Sequence, residues 1–240
     1  MSHNLISQSR NDARIRGLFA AALLFGFSLG TASAQGRDSD KKDEKEIPSS
    51  LLPGPATPAA ITPPVGNSAF LAGHGVGTQG YVCLPSGPAA ASWTVNPARP
   101  EATLFINLFG EAFQIITHFF SPVQNPNKFA PNPLAVGNAT WQSSFDSSKV
   151  WAQTDKEHTI AAGSDIVSCP HSGSIACLLL QVIGSEQGPA GGKALTKTTF
   201  IQRLNTNGGS APATGCAVPG DVGKQVLVSY SADYFFFRTD

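Results

Sequence analysis

Residues 103–120 read TLFINLFGEAFQIITHFF, two apolar runs joined by Gly110-Glu111. A glycine followed by a second residue is the pair that a type II′ turn requires between two antiparallel strands. The segment therefore predicts a β-hairpin that turns at this pair. The register that follows has two inner cross-strand pairs, Leu108 with Phe113 and Ile106 with Ile115.

This register assigns each residue of the hairpin to one face, because side chains alternate along a strand. The face expected to meet the core carries Leu104, Ile106, Leu108, Phe113 and Ile115. The opposite face carries three polar residues, Asn107, Gln114 and His118, among Phe105, Phe109 and Ile116. A polar trio on a half-apolar β surface is a candidate ligand-binding face, although such trios are more often solvated.

Strand-like runs continue through the chain from about residue 67 and are separated by Gly, Pro, Asn and Ser. The candidates are 79–84, 91–95, 103–109, 112–120, 139–145, 149–154, 177–183, 197–205 and 225–238. A second hairpin is predicted over 139–154, with its turn at Asp146-Ser147-Ser148. No segment has a helical period beyond two turns. We therefore expect one all-β domain, a β-sandwich or a flattened β-barrel.

The N-terminal 34 residues have the three parts of a secretory signal peptide. Positive charges precede an apolar run at 17–30, and Ala32-Ser33-Ala34 is a cleavage motif, so we expect cleavage before Gln35. The alternative is a membrane anchor, but the apolar run is shorter than the roughly 20 residues that a span needs. We expect a secreted protein, extracellular or periplasmic, with no membrane span after cleavage.

The stretch 35–66 is predicted to be a leader that is charged at first and then rich in proline. The charged run at 35–46 is expected to be disordered. Six prolines in 48–64 exclude a regular helix or a central strand there. That part is predicted to be a linker, or an extended segment lying on the surface of the β domain at 67–240.

The charge balance argues against nucleic acid as a partner. The formal net charge of the whole chain is zero, and removal of the signal peptide would leave it slightly negative. Nucleic-acid-binding proteins carry a basic patch or stripe that contacts phosphates. This sequence offers no such stripe, so we expect no nucleic-acid partner.

Four cysteines are present: Cys83, Cys169, Cys177 and Cys216. An even number in an oxidising compartment favours disulfides, and four cysteines allow three pairings. We favour Cys169–Cys177, which closes a short loop, and Cys83–Cys216, which links the start of the domain to its end. The alternative is a metal site formed by Cys169, His171 and Cys177, although their spacing matches no standard zinc motif.

Familiar catalytic motifs are absent or stand in the wrong context. The run GVGTQG at 75–80 matches the G-x-G-x-x-G dinucleotide fingerprint, but a strand follows it where that fingerprint needs a helix. We interpret these glycines as flexible backbone at the entrance of a strand. G-x-S-x-G occurs only inside the apolar run of the predicted signal peptide, as GFSLG at 26–30, and H-E-x-x-H does not occur. The sequence therefore predicts no catalytic residue, no metal and no cofactor, and it leaves enzymatic activity an open question.

Two further features bear on ligands and modification. Trp93, Trp141 and Trp151 are candidates for a platform that binds sugar rings, although aromatic residues of a β domain more often form its core. Asn138-Ala139-Thr140 is an N-glycosylation sequon. Asn138 would be modified only in a host that glycosylates its exported proteins.

An ordered series of short motifs covers residues 48–238. They include GTQGYVC at 77–83, LLLQ at 178–181, TFIQRLNTNGG at 199–209 and YSADY at 230–234. Together they resemble the DUF3455 family, a domain of unknown function in exported bacterial and fungal proteins. The resemblance implies that Cys83 pairs with Cys216 and that Cys169 and Cys177 close an extra loop. It implies no activity and no catalytic residues.

Arg203 and Asp233 lie in two of these motifs, both in predicted strands. A charged side chain that faces the interior needs a partner. We therefore expect these two residues either to form a structural ion pair or to face a ligand.

The first functional hypothesis is a secreted, non-enzymatic binding or surface-associated protein. Its expected partner is a polysaccharide or a small apolar ligand, bound around Asn107, Gln114 and His118 with Trp141 nearby. The supporting features are a disulfide-linked β scaffold, several aromatic residues and no catalytic signature.

The second hypothesis is an exported hydrolase or metal-dependent enzyme. It would use His118 or His74 with a carboxylate such as Asp146 or Asp233, and it requires these side chains to meet in one pocket. The third is a structural protein of the envelope or cell wall.

Overall fold

The computed structural model describes residues 52, 54–121 and 138–240. The predicted signal peptide at 1–34 and the charged run at 35–46 lie outside the described residues. Within the described residues, nine β-strands form one antiparallel sheet. Their bounds are β1 Asn67–Gly87, β2 Ala90–Leu108, β3 Glu111–Ser121, β4 Asn138–Ser143, β5 Lys149–Gln153, β6 Thr159–Ile160, β7 Cys177–Glu186, β8 Thr198–Gly208 and β9 Gln225–Thr239.

The sheet closes on itself. Its strand order is β5-β4-β3-β2-β1-β9-β8-β7-β6, and an additional pairing joins β5 to β7. Eight strands therefore form a ring, while the two-residue strand β6 pairs with β7 beside it. The all-β prediction is confirmed, and of its two forms the structure has the barrel. A ring of eight strands has an interior that side chains fill or that holds one small ligand.

The proline-rich stretch ahead of β1 packs on this sheet through a short 3-10 helix at Ala59–Ile61. Ile61 is fully buried in one apolar cluster with Leu179 and Leu204. Its carbonyl oxygen accepts a hydrogen bond from Gln202 Nε2 at 2.6 Å. The described part of the stretch, residues 54–64, thus lies on the domain, which was the alternative to a free linker.

The first hairpin forms, but the predicted turn is wrong. Phe109 and Gly110 occupy the turn with φ angles of 57° and 86°. Leu108 therefore pairs with Glu111 and Ile106 with Phe113. Two positive φ angles are typical of a type I′ turn, whose twist matches that of the flanking strands. The turn lies one residue earlier than Gly110-Glu111, so each β2 residue of the hairpin pairs with a different β3 residue from the one predicted.

The core face of this hairpin is also only partly as predicted. Leu104 and Ile115 are buried, whereas Leu108 and Phe113 are 45% and 47% exposed because the tip of the hairpin extends beyond the core. An irregularity in the pairing follows: Phe105 pairs with Gln114, but Leu104 pairs with Ile116. The extra residue, Ile115, is a β-bulge that reverses the alternation of faces. Ile116 and His118 consequently point inward.

The glycine run at 75–80 lies in the middle of β1 and not at a strand entrance, which corrects the prediction. At these positions the missing Cβ leaves room for atoms of the two neighbouring strands, β2 and β9. A Cβ atom on Gly75 would lie 2.8 Å from Tyr234 Cε2, and one on Gly77 would lie 1.9 Å from the Glu101 carbonyl oxygen. The run therefore lets β1 approach β2 and accommodate a buried tyrosine from β9.

The structure contains two disulfides, Cys83–Cys216 and Cys169–Cys177, the pairs favoured from the sequence. Cys169 and Cys177 are fully buried, and their bond leaves no thiolate for the alternative metal site. Two disulfides are compatible with an extracellular protein. In the described ranges, no helix is long and apolar enough to cross a membrane.

Candidate ligand cavity

A cavity of ≈ 660 Å³ is lined by residues from all eight strands of the ring. Its size lies within the usual range for small-molecule sites, about 300–1,000 Å³. Carbon-rich side chains predominate in the lining. The lining residues are Gln79, Tyr81, Val95, Asn96, Pro100, His118, Phe120, Asn138, Ala139, Trp141, Ala152, Gln153, Thr154, Ile175, Ala176, Leu178, Leu180, Arg203, Ser210 and Tyr234.

Three aromatic rings form a cluster in this lining. His118 and Trp141 lie opposite each other on β3 and β4, and their rings stack at 4.1 Å with an interplanar angle of 10°. The Tyr234 ring is tilted against both, at 6.1 Å from His118 and 6.4 Å from Trp141. All three side chains are buried. The cluster therefore gives the cavity an aromatic wall made of two stacked rings and one tilted ring.

His118 is held as a neutral imidazole. Its Nδ1 lies 2.9 Å from the Thr140 carbonyl oxygen, which can only accept, so Nδ1 carries the proton. Burial lowers the pKa of His118 to about 4; the Thr140 hydrogen bond opposes this shift, and the positive charge of Arg203 adds to it. At neutral pH the ring is uncharged, with an unprotonated Nε2.

Arg203 brings a positive charge to the cavity without a carboxylate partner. Its Nη2 donates a hydrogen bond to the Ala176 carbonyl oxygen at 2.8 Å, and no Asp or Glu is among the described lining residues. Two buried donors of the lining, Arg203 Nε and Trp141 Nε1, have no hydrogen-bond partner. Such groups cost free energy unless something accepts from them.

The predicted ion pair between Arg203 and Asp233 does not form. Arg203 lies opposite Tyr234 in the β8–β9 register, while Asp233 lies opposite Leu204. Because successive residues face opposite sides, Arg203 and Asp233 are on different faces of the sheet. Arg203 thus lines the cavity, and its alternative role of facing a ligand stays a prediction.

Two tyrosines near this charge keep their phenolic protons. Tyr81 donates a hydrogen bond to the Gly209 carbonyl oxygen at 2.7 Å, and the hydroxyls of Tyr230 and Tyr234 lie 2.8 Å apart. Burial raises the pKa of Tyr81, and Arg203 offsets part of this shift. Burial raises the pKa of Tyr230 well above its usual value, and Arg203 again opposes it. Neither phenol therefore supplies a negative charge to balance Arg203.

With this geometry established, one comparison identifies the chain. The model of a family described as "Protein of unknown function (DUF3455)" matches residues 64–238. The chain belongs to the DUF3455 family. The matched range begins just before β1 and ends one residue before the last residue of β9, so it contains all of the ring of this DUF3455 domain except that final residue. No curated protein and no solved structure matches the chain.

The structure divides the predicted ligand face of the DUF3455 domain. His118 and Trp141 meet in the cavity, as described above. Asn107 and Gln114 instead lie exposed near the tip of the first hairpin, outside the cavity lining. Gln114 Nε2 donates to Thr117 Oγ1 at 3.1 Å and Ser144 Oγ at 3.2 Å. The bulge at Ile115 causes this separation, because it moves His118 to the inner face.

Three other sequence candidates have definite positions in the DUF3455 domain. Asn138, the residue of the glycosylation sequon, is half-buried and lines the cavity at the start of β4. Trp151 is buried and donates to Ser121 Oγ at 3.0 Å, and half-buried Trp93 donates to the Thr214 carbonyl oxygen at 2.9 Å. The three tryptophans thus do not form an exposed platform for sugar rings.

The second hypothesis named two histidines, and the structure pairs one of them with a carboxylate. His74 Nδ1 lies 2.8 Å from Asp233 Oδ1, and Asn205 Nδ2 donates to Asp233 Oδ2 at 2.8 Å. The His74 side chain is 56% exposed, and neither residue lines the cavity. Asp146, the other carboxylate that this hypothesis named, does not contact His118. It accepts hydrogen bonds from the Ser148 hydroxyl and from the backbone N–H of Ala194 in the loop before β8.

The His74–Asp233 pair has the base and the orienting carboxylate of a catalytic triad, but the third member is missing. No serine, threonine or cysteine in the described ranges hydrogen-bonds to the His74 ring. The described part of the chain also contains no group of three His, Cys, Asp or Glu residues placed to hold a metal ion. The histidine–carboxylate contact that the enzyme hypothesis required is therefore present, but no nucleophile or metal site accompanies it in the described residues.

Proposed function

We propose that this DUF3455 domain is a binding protein for a small, mainly apolar molecule, which it holds in the cavity inside its ring of strands. The observation that carries the proposal is the cavity of ≈ 660 Å³, to which all eight strands contribute residues. Closed eight-stranded sheets are scaffolds that can hold one small ligand. A mostly apolar lining with a few polar groups is typical of ligand pockets.

A polysaccharide has less support as the partner. Long glycan chains bind in open clefts or on aromatic platforms, and Trp141 and Trp151 are only 1% and 3% exposed. The enzyme hypothesis retains one supporting contact, His74 with Asp233. In the described ranges, no hydroxyl or thiol group hydrogen-bonds to the His74 ring, so the binding role is better supported.

We also propose that the protein is exported before it binds its ligand. The pattern at residues 1–34 and the two disulfides support this proposal. Intact mass of the protein produced by its own host should correspond to a chain that begins at Gln35 and has lost four hydrogens to two disulfides. A mass that retains residues 1–34 would contradict export by cleavage.

The binding proposal is tested with an apolar fluorophore, N-phenyl-1-naphthylamine, titrated into the purified protein. We expect saturable binding of one fluorophore per chain. Ala139→Phe places a ring in the cavity lining and should abolish this binding. The matched control, Ala112→Phe, adds the same ring at an exposed position near the hairpin tip and should leave binding unchanged.

Thermal unfolding of both variants shows whether they remain folded. Saturable binding that Ala139→Phe leaves intact would place the fluorophore elsewhere. The absence of saturable binding to the unmodified protein would contradict the proposal itself.

A further inference from the structure

We propose that the ligand of the cavity carries a carboxylate, which pairs with the Arg203 guanidinium. This inference rests on the proposed binding function and specifies the chemistry of the ligand. Its basis is that Arg203 lines a mostly carbon-rich cavity and that no Asp or Glu is among the described lining residues.

The first argument is hydrogen bonding. Arg203 uses Nη2 to donate a hydrogen bond to the Ala176 carbonyl oxygen at 2.8 Å. A guanidinium has five N–H donors, so this single bond does not use its full capacity. Hydrogen bonds between arginine and a carboxylate are among the strongest in proteins. A ligand carboxylate would therefore give the guanidinium a charged acceptor.

The second argument is charge. The Arg203 guanidinium is always protonated, and no Asp or Glu is among the described residues that line the cavity. Its charge reaches the groups around it, since it opposes the burial that raises the pKa values of Tyr81 and Tyr230. Burial keeps these phenols neutral. A carboxylate on the ligand would supply the balancing negative charge.

The third argument selects among anions. The lining offers one guanidinium to the anion, and the remainder is largely carbon-rich. A phosphate group carries up to two charges and three acceptor oxygens, and it would leave part of that charge without partners. A carboxylate carries one charge on two oxygens, which matches one guanidinium. An alkyl or aryl chain attached to it would occupy the apolar part of the cavity.

The test compares two ligands that share a chain and differ in the head group. Decanoate and 1-decanol each displace bound N-phenyl-1-naphthylamine from the protein at pH 7, where the acid is ionised. We expect decanoate to bind about tenfold to a hundredfold more tightly, the usual effect of charge-assisted hydrogen bonds. Arg203→Met should bring the two affinities together by weakening decanoate and leaving decanol unchanged.

Two matched variants keep the result interpretable. Arg99→Met removes an arginine that lies outside the lining, and it should preserve the preference for decanoate. Trp141→Phe changes the aromatic cluster but keeps Arg203, and it should also preserve the preference. The ratio of the two affinities is the readout, so a general loss of cavity shape would weaken both ligands and leave the ratio unchanged.

Each result decides between the two proposals. Equal displacement by both ligands from the unmodified protein would overturn the carboxylate inference and leave the binding function intact. Bound fluorophore that neither ligand displaces would also overturn the inference. A protein that binds no fluorophore at all would overturn the binding function and the inference together.

Discussion

Acidification should destabilise this protein through one residue, His118. The imidazole is fully buried in the folded protein, where burial lowers its pKa to about 4, against about 6.5 in an unfolded chain. Between these values the unfolded chain binds a proton that the folded protein excludes. The free energy of unfolding therefore has its full value above pH 6.5 and decreases as the pH falls towards 4.

The size of this effect follows from the two pKa values. Each unit of difference corresponds to about 1.4 kcal/mol, so lowering the pH from 7 to 4 should remove about 3 kcal/mol. Urea unfolding at half-unit pH intervals measures the free energy of unfolding directly. The carboxylates whose pKa values lie below the usual range, among them Asp146 and Asp221, lose their contributions only below that window.

His118→Phe is the matched variant, because it keeps an aromatic ring against Trp141 and removes the titrating group. Its free energy of unfolding should change little between pH 6.5 and 4. The reasoning would be refuted if the unmodified protein and this variant lost stability in parallel over that range. In that case the histidine would be accessible to protons in the folded state.

The remaining predictions concern the scaffold. Gly77→Ala should lower the free energy of unfolding in urea by about 3 kcal/mol, because its Cβ would lie 1.9 Å from the Glu101 carbonyl oxygen. The control Gly87→Ala, whose Cβ would lie 3.8 Å from its nearest neighbour, should lower it by less than about 1 kcal/mol. Equal losses would contradict the close approach of β1 and β2. Cys216→Ser opens the disulfide that spans 133 residues and should cost about 5 kcal/mol, while Cys169→Ser opens the one that spans eight and should cost about 2–3 kcal/mol. Equal or reversed losses in the same assay would argue against loop closure as the source of the stabilisation.

Local sequence patterns predicted the class of fold, because alternation and turn residues act over a few positions. The predicted runs 149–154, 177–183 and 225–238 lie close to the bounds of β5, β7 and β9. The second hairpin also forms, and Asp146 Oδ1 accepts from the Ser148 backbone N–H and hydroxyl in its turn. Such Asx interactions depend on neighbouring residues, so the sequence contains the necessary information.

The lengths of β1 and β2 were underestimated for a physical reason. Glycine and proline usually weaken or interrupt strands, and β1 contains the run at 75–80 while β2 contains Pro97 and Pro100. In the folded protein the glycines admit Tyr234 and the backbone of β2, neighbours that are distant in sequence. A local pattern cannot reveal a contact with a residue about 160 positions away.

The same limitation applies to the cavity. His118 and Trp141 were predicted to lie near each other and do so on neighbouring strands, whereas Arg203 and Tyr234 join them only when β5 pairs with β7 and the ring closes. One bulged residue, Ile115, decides whether His118 faces inward. Ala139 and Trp141 alternate with polar residues in β4, but β7 begins with a continuous apolar run, and neither pattern shows which strands meet.

The most direct test of the account is a crystal structure of the protein with 10-bromo-1-decanol, whose bromine atom is located by anomalous scattering. This ligand has no carboxylate, so the result does not depend on the proposed head group. The account predicts a bromine peak inside the ring of strands, within the lining that contains His118, Trp141 and Tyr234. An empty cavity, or bromine bound only on the outer surface, would contradict the claim that this domain holds a small apolar ligand in its interior.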